Sequence, residues 1–289
     1  IHWFPNHFAS LDIHSAHALP AYDAVISLAP SDAAGVARQL PLSRVVHVPH
    51  AIEPTASGLP RARLRAPFGM PPDAFVVLLH FVNYDALNRK SVDVSAQSFR
   101  ALLATHPRAF LYVHATTLEA SRGSVSALPV AHLLEAAALP RGRYVVDTRE
   151  LAYETVWELL EAADVLCHPA KVEGFGLPVL EAQALGTPVV TTRIGAMADY
   201  TFYGVSVPPL QMEWLELGYV ATPNVSGVAE ALARVADGLL PRSDAQAARE
   251  RIARDFSTAA VAKGLLAELR RPKPKPAVDY TTLRYGERG

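Results

Sequence analysis

The sequence predicts an α/β fold built around a parallel sheet. Short apolar runs alternate with longer segments in which apolar residues recur at helical spacing, and this alternation is typical of βαβ units. The runs are almost continuously apolar, as expected for strands that helices cover on both faces. Since 50% of the 289 residues are hydrophobic and 19% are charged, the chain can bury a sizeable core.

The predicted strands are the apolar runs themselves, which lie at Ala24–Leu28, Val45–Val48, Phe75–Val82, Phe110–His114, Tyr144–Val146, Val165–His168 and Pro188–Thr192. The predicted helices have an apolar face and lie at 31–39, 93–105, 155–163 and 243–269. One more helix is predicted between Pro178 and Gly186, because proline at the first helical position and glycine after the last are the usual boundary signals.

The proline-rich segment 49–72 interrupts this alternation and predicts a linker. Residues 1–53 hold two clear strands and one helix, which is too little for an independent α/β domain. Residues 54–240 are predicted to form a self-sufficient α/β domain, and the helical segment 241–269 follows it. The tail 270–289 begins with a charged, proline-punctuated stretch and is predicted to be disordered.

Charge and cysteine content exclude several classes of protein. The net charge of −1 gives no electrostatic footprint for nucleic acid, so no nucleic-acid partner is expected. The single Cys167 excludes an internal disulfide and favours a reducing compartment, so we expect a cytoplasmic location. No run approaches the roughly 20 apolar residues that a transmembrane helix needs. The start lacks Met and a signal-peptide pattern, so we expect a fragment or a processed product.

The segment most informative about chemistry is HPAKVEGFGLPVLEAQALGTPVVTT, residues 168–192. Its pattern indicates a strand, a glycine loop, a helix start and a second strand. Amides at a helix start are unpaired and lie at the positive end of the helix dipole, so they form an anion site that suits phosphate. Gly174 and Gly176 allow close approach of the backbone to such a group.

Two acids flank this loop, Glu173 before it and Glu181 within the following helix. A carboxylate is unfavourable beside a bound phosphate, but it readily accepts hydrogen bonds from sugar hydroxyls. A diphosphate in the loop with hydroxyl-rich groups on either side has the shape of a nucleotide sugar. The alternative interpretation is structural, with Glu173 capping the helix and Glu181 a solvated helix residue.

The stretch EGFGLPVLEAQALGTPVVTT resembles the Glu-x7-Glu signature of the retaining GT-B glycosyltransferases of group 1, also called family 4. Similar resemblance is found in the stretches ELLEAADVLCHPAKVEGFGLP, VVHVPHAIEP and FGMPPDAFVVLLHFVNYDALNRKS. Such enzymes have two Rossmann-like domains, of which the C-terminal one binds the nucleotide-sugar donor. The resemblance implies that 54–240 are a complete donor domain and that 1–53 are a remnant of the acceptor domain. It also implies that 241–269 pack back towards the N-terminal part.

The resemblance further implies a role for each matching residue. Glu173 would contact the transferred sugar, and Glu181 would bind the ribose hydroxyls of the nucleotide. The backbone that would meet the diphosphate and the sugar is that of Gly174, Phe175, Gly176 and Leu177. Arg89 and Lys90 match the cationic pair that neutralises the diphosphate, whose charge grows as the glycosidic bond breaks. Glu173, Arg89 and Lys90 are therefore the expected catalytic residues.

Neither a metal nor a cofactor is expected. The sequence has no Asp-x-Asp pair, no Walker loop and no HExxH motif, and GFGLPV carries two of the three glycines of a dinucleotide fingerprint. The expected ligand is a UDP-sugar or a GDP-sugar that is a substrate. The acceptor is unknown and could be a glycan, a lipid or a protein.

Weaker candidates lie at other strand ends. Asn83 could reach the sugar or phosphate, and Asp147 could line the base pocket through backbone groups, with a plain strand-end turn as its alternative. His168 is predicted to be a hydrogen-bonded strand-end histidine, not a catalytic base. Trp214 is predicted to be a packing residue.

These observations leave three functions open. The first is retaining transfer of a hexose from a nucleotide diphosphate sugar to an acceptor. The second is nucleotide-sugar binding without catalysis, by a module that lacks a full acceptor domain. The third is sugar-phosphate epimerisation on a GT-B fold, which would need further acid–base residues in the cleft.

Overall fold

The structure, a computed structural model, describes residues 2–4, 19, 22–39, 44–82, 88–116, 129–215 and 218–272. Its strands are β1 (His2–Phe4), β2 (Val25–Ser27), β3 (Val45–His47), β4 (Val76–Val82), β5 (Phe110–Thr116), β6 (Tyr144–Asp147), β7 (Val165–His168), β8 (Val189–Thr192), β9 (Gly204–Val207), β10 (Gln211–Leu215) and β11 (Gly218–Thr222). Its helices are α1 (Pro30–Gln39), α2 (Arg61–Arg65), α3 (Val92–Leu102), α4 (Val130–Ala136), α5 (Tyr153–Ala162), α6 (Leu177–Leu185), α7 (Gly195–Tyr200), α8 (Val225–Ala236), α9 (Arg242–Asp255) and α10 (Thr258–Leu269).

The predicted α/β fold with a parallel sheet is confirmed. The larger sheet has six strands, all parallel, in the order β6-β5-β4-β7-β8-β9. The strand order reverses between β4 and β7, because the chain runs from β4 to one edge and from β7 to the other. Ligands of open parallel sheets bind at such a reversal, outside the carboxyl ends of the strands. The loops after β4 and β7 therefore face the same crevice.

Helices cover both faces of this sheet and create two cores. Leu78 of β4 lies in one core, and its neighbours Val77 and Leu79 lie in the other. All three side chains are at most 3% exposed. Burial on both faces explains why these strands appear in the sequence as continuous apolar runs.

The seven predicted strands are all present, and their ends lie within two residues of the predicted ones. The sequence pattern did not reveal β1, β9 or the antiparallel pair β10–β11. The pair β10–β11 exposes its large side chains, so the prediction that Trp214 is a packing residue is wrong. Trp214 is 58% exposed, and its ring contacts Tyr219 at a centroid distance of 5.0 Å.

The helical segment predicted as continuous over 243–269 is two helices, so that prediction is wrong in one respect. The chain breaks at Phe256, whose side chain is 3% exposed and packs against Phe175 and Tyr200. Ser257 then caps α10 by accepting a hydrogen bond from the Ala260 amide at 3.3 Å. Alanine-rich composition favours helix throughout, but burial of the Phe256 ring determines where the chain turns.

The N-terminal segment forms a small parallel sheet, β1-β2-β3, beside α1. Ile26 and Val48 of this segment share a buried cluster with Val261 of α10. The backbone of Ile52 also donates to the carbonyl of Phe256 at 2.7 Å. Helix α10 thus packs on the N-terminal segment. The chain passes from that segment to the larger sheet near Ile52 and returns near Phe256, and these two points are hydrogen-bonded to each other.

A buried arginine fixes the entry to the larger domain. Arg65 in α2 is 4% exposed, and its guanidinium lies 2.5 Å from Asp164 Oδ2. The same carboxylate oxygen accepts a hydrogen bond from the Val76 amide at 2.6 Å. The guanidinium also donates to three backbone carbonyls, those of Pro72, Ala74 and Ala162. These contacts join the start of β4 to the start of β7.

Candidate functional site

The glycine loop joins β7 to α6 as the sequence pattern indicates. Gly176 has φ 84°, and a Cβ atom there would lie 2.3 Å from Met197 Cε, so a side chain would be both strained and obstructed. Helix α6 ends at Gly186, which has φ 87° and donates to the Gln183 carbonyl. Pro178 lies at the second helical position, one residue later than predicted, because Leu177 begins the helix.

The side chains of Arg89 and Lys90 contact this loop, although the two residues are far from it in sequence. The Arg89 guanidinium donates to Glu173 Oε2 and to the Val172 carbonyl, both at 3.3 Å. Lys90 Nζ forms an ion pair with the same Glu173 oxygen. The Lys171 amide donates to the Arg89 carbonyl at 2.8 Å. The loops after β4 and β7 are therefore tied together at the strand reversal.

The turn that carries the two cations has an unusual backbone. Ser91 follows Lys90 with φ 53° and is fully buried. Its hydroxyl has no hydrogen-bond partner in the described part of the chain. Asn88, also at positive φ, stabilises the start of α3 by accepting a hydrogen bond from the Val92 amide at 2.9 Å.

Glu173 is buried among basic groups, and its side chain is 8% exposed. Besides the two cations, His168 Nε2 lies 3.2 Å from the same oxygen, Oε2. Burial alone would raise the pKa of Glu173, but Lys90, His168 and Arg89 together hold it well below its ordinary value. The carboxylate is therefore ionised, and its contacts with Arg89, Lys90 and His168 are all made through Oε2.

Glu181, on α6, has a different environment from Glu173. It is 8% exposed, and Oε1 accepts a hydrogen bond from the Trp157 indole at 3.3 Å. Burial raises the pKa of Glu181, and the Trp157 hydrogen bond opposes that shift. Like Glu173, Glu181 accepts hydrogen bonds from the described residues through one carboxylate oxygen.

One cavity of about 390 Å³ contains most of these groups. From the loop and α6 it is lined by Glu173, Gly174, Phe175, Gly176, Leu177, Pro178 and Glu181. From the β4 side it is lined by His80, Phe81, Val82, Arg89 and Lys90. Leu28 and His50 of the N-terminal segment close another side. The cavity thus lies between the two units, at the reversal of the larger sheet.

Of the other predicted site residues, Asn83 lies outside the described residues. The Asp147 side chain is absent from the cavity lining and is engaged elsewhere: it binds the Arg149 guanidinium and accepts a hydrogen bond from the Tyr112 hydroxyl at 2.5 Å. Contact of a base with the backbone near Asp147 stays a prediction.

The cavity also contains residues that sequence analysis missed. His80 and His50 line it, and Tyr153 at its rim is 65% exposed, with its ring against Trp157. His80 precedes the carboxyl end of β4, so the rule that ligands bind beyond strand ends could have found it. Nothing in the local pattern pointed to Trp157, which reaches Glu181 only through the packing of α5 on α6.

Among the described residues, no group of three or more His, Cys, Asp or Glu is arranged to hold a metal ion. None of the described helices has the length and apolar character required to cross a membrane.

The sequence is similar to known glycosyltransferases. Residues 134–206 match the family described as "Glycosyl transferases group 1". D-inositol 3-phosphate glycosyltransferase of Saccharomonospora viridis is 36% identical over 182 residues, which cover 61% of this chain and 38% of that protein. Glycogen synthase of Mycobacterium tuberculosis is 33% identical over 132 residues, covering 42% of this chain and 29% of that protein. The chain thus matches well under half the length of these relatives.

Solved structures share the fold over more of the chain. The trehalose-6-phosphate protein from E. coli, bound with UDP-2-fluoro glucose, gives a TM-score of 0.69 at 17% identity, covering 94% of this chain and 68% of that one. Sucrose-phosphate synthase from Thermosynechococcus elongatus gives 0.67 at 22% identity, covering 89% of this chain and 60% of that one. At these identities the likeness establishes the fold.

Proposed function

We infer that the chain is a group 1 glycosyltransferase of GT-B fold, because residues 134–206 match that family and solved structures share the fold, and we propose that it binds a nucleotide diphosphate sugar and transfers the hexose to an acceptor. One observation carries the proposal. The two cations after β4 and the acid before the glycine loop, 83 and 84 residues apart in sequence, meet at one cavity beside Glu181. Cations, helix amides and two carboxylates around one space suit a nucleotide sugar, in which an anionic diphosphate lies between two hydroxyl-rich groups.

Arg89, Lys90 and the amides at the start of α6 would hold the diphosphate. Glu181 would accept hydrogen bonds from the ribose, and Glu173 Oε1 would accept one from the hexose. As the bond between the hexose C1 and the diphosphate oxygen breaks, its electron pair stays on that oxygen. The fixed cations stabilise the resulting charge without reorganisation, which is the usual source of electrostatic catalysis.

We propose that transfer retains configuration at C1. The acceptor hydroxyl would attack from the face that the diphosphate leaves, forming a new C1–O bond and passing its proton to the leaving diphosphate oxygen. This sequence needs no protein nucleophile and no metal. It does require an acceptor hydroxyl held beside C1 on the face from which the diphosphate leaves, and in the described residues Leu28 and His50 of the N-terminal segment also line the cavity.

A thermal-shift panel with UDP, GDP, ADP and their sugars tests donor binding. At a ligand concentration of about 100 times Kd, specific binding stabilises the native state by roughly 2.7 kcal/mol. For a protein of this size we expect Tm to rise by about 5–10 °C with one base and its sugars. Absence of a shift with every nucleotide would contradict the proposed function.

A second candidate function is donor binding without transfer. Analysis of the reaction products distinguishes it from the transferase function. Release of the nucleoside diphosphate from a bound donor, with or without added acceptors, would establish catalysis. Binding with no release after long incubation would favour the binding module.

Replacing Glu181 with glutamine is expected to weaken binding of the preferred nucleoside diphosphate about tenfold, because a charged acceptor is replaced by a neutral one. Inorganic pyrophosphate should bind equally to both proteins. In the unsubstituted protein, affinity should also fall as the pH drops through the raised pKa of Glu181, and this dependence should disappear in the variant. Isothermal calorimetry across pH measures both effects.

Glu230→Gln is the matched control, since Glu230 is an exposed acid on α8, outside the cavity lining. Equal binding by Glu181→Gln and Glu230→Gln would refute the assignment of Glu181 to the nucleoside.

A further inference from the structure

Two histidines face each other beneath the candidate donor cavity. His80 of β4 and His114 of β5 occupy paired positions in the sheet. Their rings are nearly parallel, at an interplanar angle of 11°, and their Nδ1 atoms lie 2.7 Å apart. At that distance one Nδ1 carries a proton and the other accepts it in a hydrogen bond.

The environment of His114 determines which ring is the donor. Its Nε2 lies 2.9 Å from the Arg149 carbonyl, and a carbonyl oxygen only accepts hydrogen bonds. Nε2 of His114 therefore carries the proton of the neutral ring, and its Nδ1 is the acceptor. Arg149 is itself fixed, because Asp147 accepts hydrogen bonds from its amide at 3.0 Å and from its guanidinium at 2.7 and 2.9 Å.

It follows that His80 donates through Nδ1, which leaves Nε2 as an unprotonated nitrogen with a lone pair. An additional proton on either of the two histidines is unfavourable, because among the described residues no carboxylate is hydrogen-bonded to their rings. Burial, together with the nearby His114, His168 and Lys90, lowers the pKa of His80 to about 3. His80 is thus a neutral acceptor across the physiological range.

His80 lines the same cavity as Glu173. His168 links the two sites, since it hydrogen-bonds Glu173 and acts electrostatically on His80. Two acceptors, the His80 lone pair and Glu173 Oε1, therefore belong to residues that line this cavity. Phosphate oxygens are acceptors as well and are disfavoured beside them, whereas a sugar hydroxyl can donate to either.

We propose that Nε2 of His80 accepts a hydrogen bond from a hydroxyl of the donor's hexose, so that His80 is a sugar-specificity residue. The inference rests on the proposed function and deepens it, because it assigns one wall of the cavity to the hexose. It requires a hydroxyl rather than an ether or a fluorine at the contacted carbon.

Two substitutions separate the roles of the two ring nitrogens. In His80→Asn the side-chain amide can still donate to His114, but nothing remains at the position of Nε2. In His80→Gln the longer side chain can place an acceptor oxygen near that position. The probes are UDP-glucose, GDP-mannose, UDP and GDP, with affinities measured by calorimetry.

For the nucleotide sugar that the unsubstituted protein prefers, His80→Asn should weaken binding about three- to tenfold, the range of one net hydrogen bond. Its affinity for the matching nucleoside diphosphate should stay within about twofold, and His80→Gln should restore most of the sugar affinity. An equal loss for both ligands, or no loss for either, would overturn the assignment of His80. Failure of the unsubstituted protein to bind any of the four probes would instead overturn the proposed function and this inference with it.

A measurement on the unsubstituted protein keeps the inference testable if either variant fails to fold. The ¹⁵N resonance of His80 Nε2 should have the shift of an unprotonated imidazole nitrogen. It should move when the nucleotide sugar is added and stay in place with the nucleoside diphosphate. A protonated Nε2, or identical responses to both ligands, would contradict the inference.

Discussion

Replacing Arg65 with methionine is expected to lower the free energy of unfolding by about 3–5 kcal/mol, the usual cost of removing one partner of a buried ion pair. The substitution leaves Asp164 without its buried partner and removes hydrogen bonds to three backbone carbonyls. For a chain of this size the loss corresponds to a fall in Tm of roughly 6–20 °C. Denaturant unfolding measures the free energy directly.

Arg61 provides a matched control, because it pairs with the same carboxylate from a solvated position. Its guanidinium lies 2.7 Å from Asp164 Oδ1, with a side chain 47% exposed against 4% for Arg65. Arg61→Met should therefore cost about 0–1 kcal/mol. Similar losses from both substitutions would show that burial and the carbonyl contacts do not distinguish the two arginines.

Removing both cations, in Arg89→Ala with Lys90→Ala, is expected to weaken binding of the preferred nucleoside diphosphate at least about a hundredfold. Each charge-assisted hydrogen bond contributes roughly 1.5–3 kcal/mol, and two are removed. The binding that remains should depend less on ionic strength, since fewer fixed charges face the diphosphate. Calorimetric titrations with UDP or GDP at two salt concentrations measure both quantities.

The control is a double variant that loses the same amount of positive charge at a different place on the protein surface. Lys263→Ala with Arg270→Ala removes two exposed cations near the C-terminal end of the described chain, away from the cavity lining. Its affinity should match that of the unsubstituted protein. A double variant at 89 and 90 that binds as tightly as this control would refute the proposed diphosphate contact.

The same double variant should change the stability of the protein in acid. In the folded protein the pKa of Glu173 is below its ordinary value of 4.5, so its ionised form contributes stability above that pH. This contribution is lost as the pH falls through the lowered value. Without the cations, burial dominates and raises the pKa above its ordinary value, so the contribution changes sign: ionised Glu173 destabilises the double variant at neutral pH, and its protonation restores stability as the pH falls through the raised pKa. Adding Glu173→Gln removes this titration and shows whether Glu173 is its source.

Local sequence pattern predicted the strands and the loop-to-helix junction well, because both depend on short-range features. A strand buried on both faces must be apolar throughout, and the turn at Gly176 must be glycine whatever surrounds it. The break at Phe256 could not be predicted in this way. It depends on a ring finding space against Phe175 and Tyr200, which are distant in sequence.

Within the site, too, some features could be predicted from the sequence, whereas contacts between residues distant in sequence could not. The strand-end rule, together with the family resemblance, was sufficient to expect the cations near the loop. The partners that tune the acids were not predictable, because Trp157 reaches Glu181 through helix packing and His80 meets His114 through sheet register. The Asp147 side chain is bound by Arg149, two residues later, and contact of a base with the backbone there stays a prediction.

The backbone at Ser91 has a consequence for recognition. A serine at positive φ, with a buried hydroxyl that no described residue satisfies, is less favourable than an ordinary turn residue there. The surrounding sheet and α3 impose this conformation before any substrate arrives. The electropositive end of the crevice is consequently preorganised: the entropy of aligning its two side chains is lost during folding, which leaves more of the intrinsic attraction available for affinity.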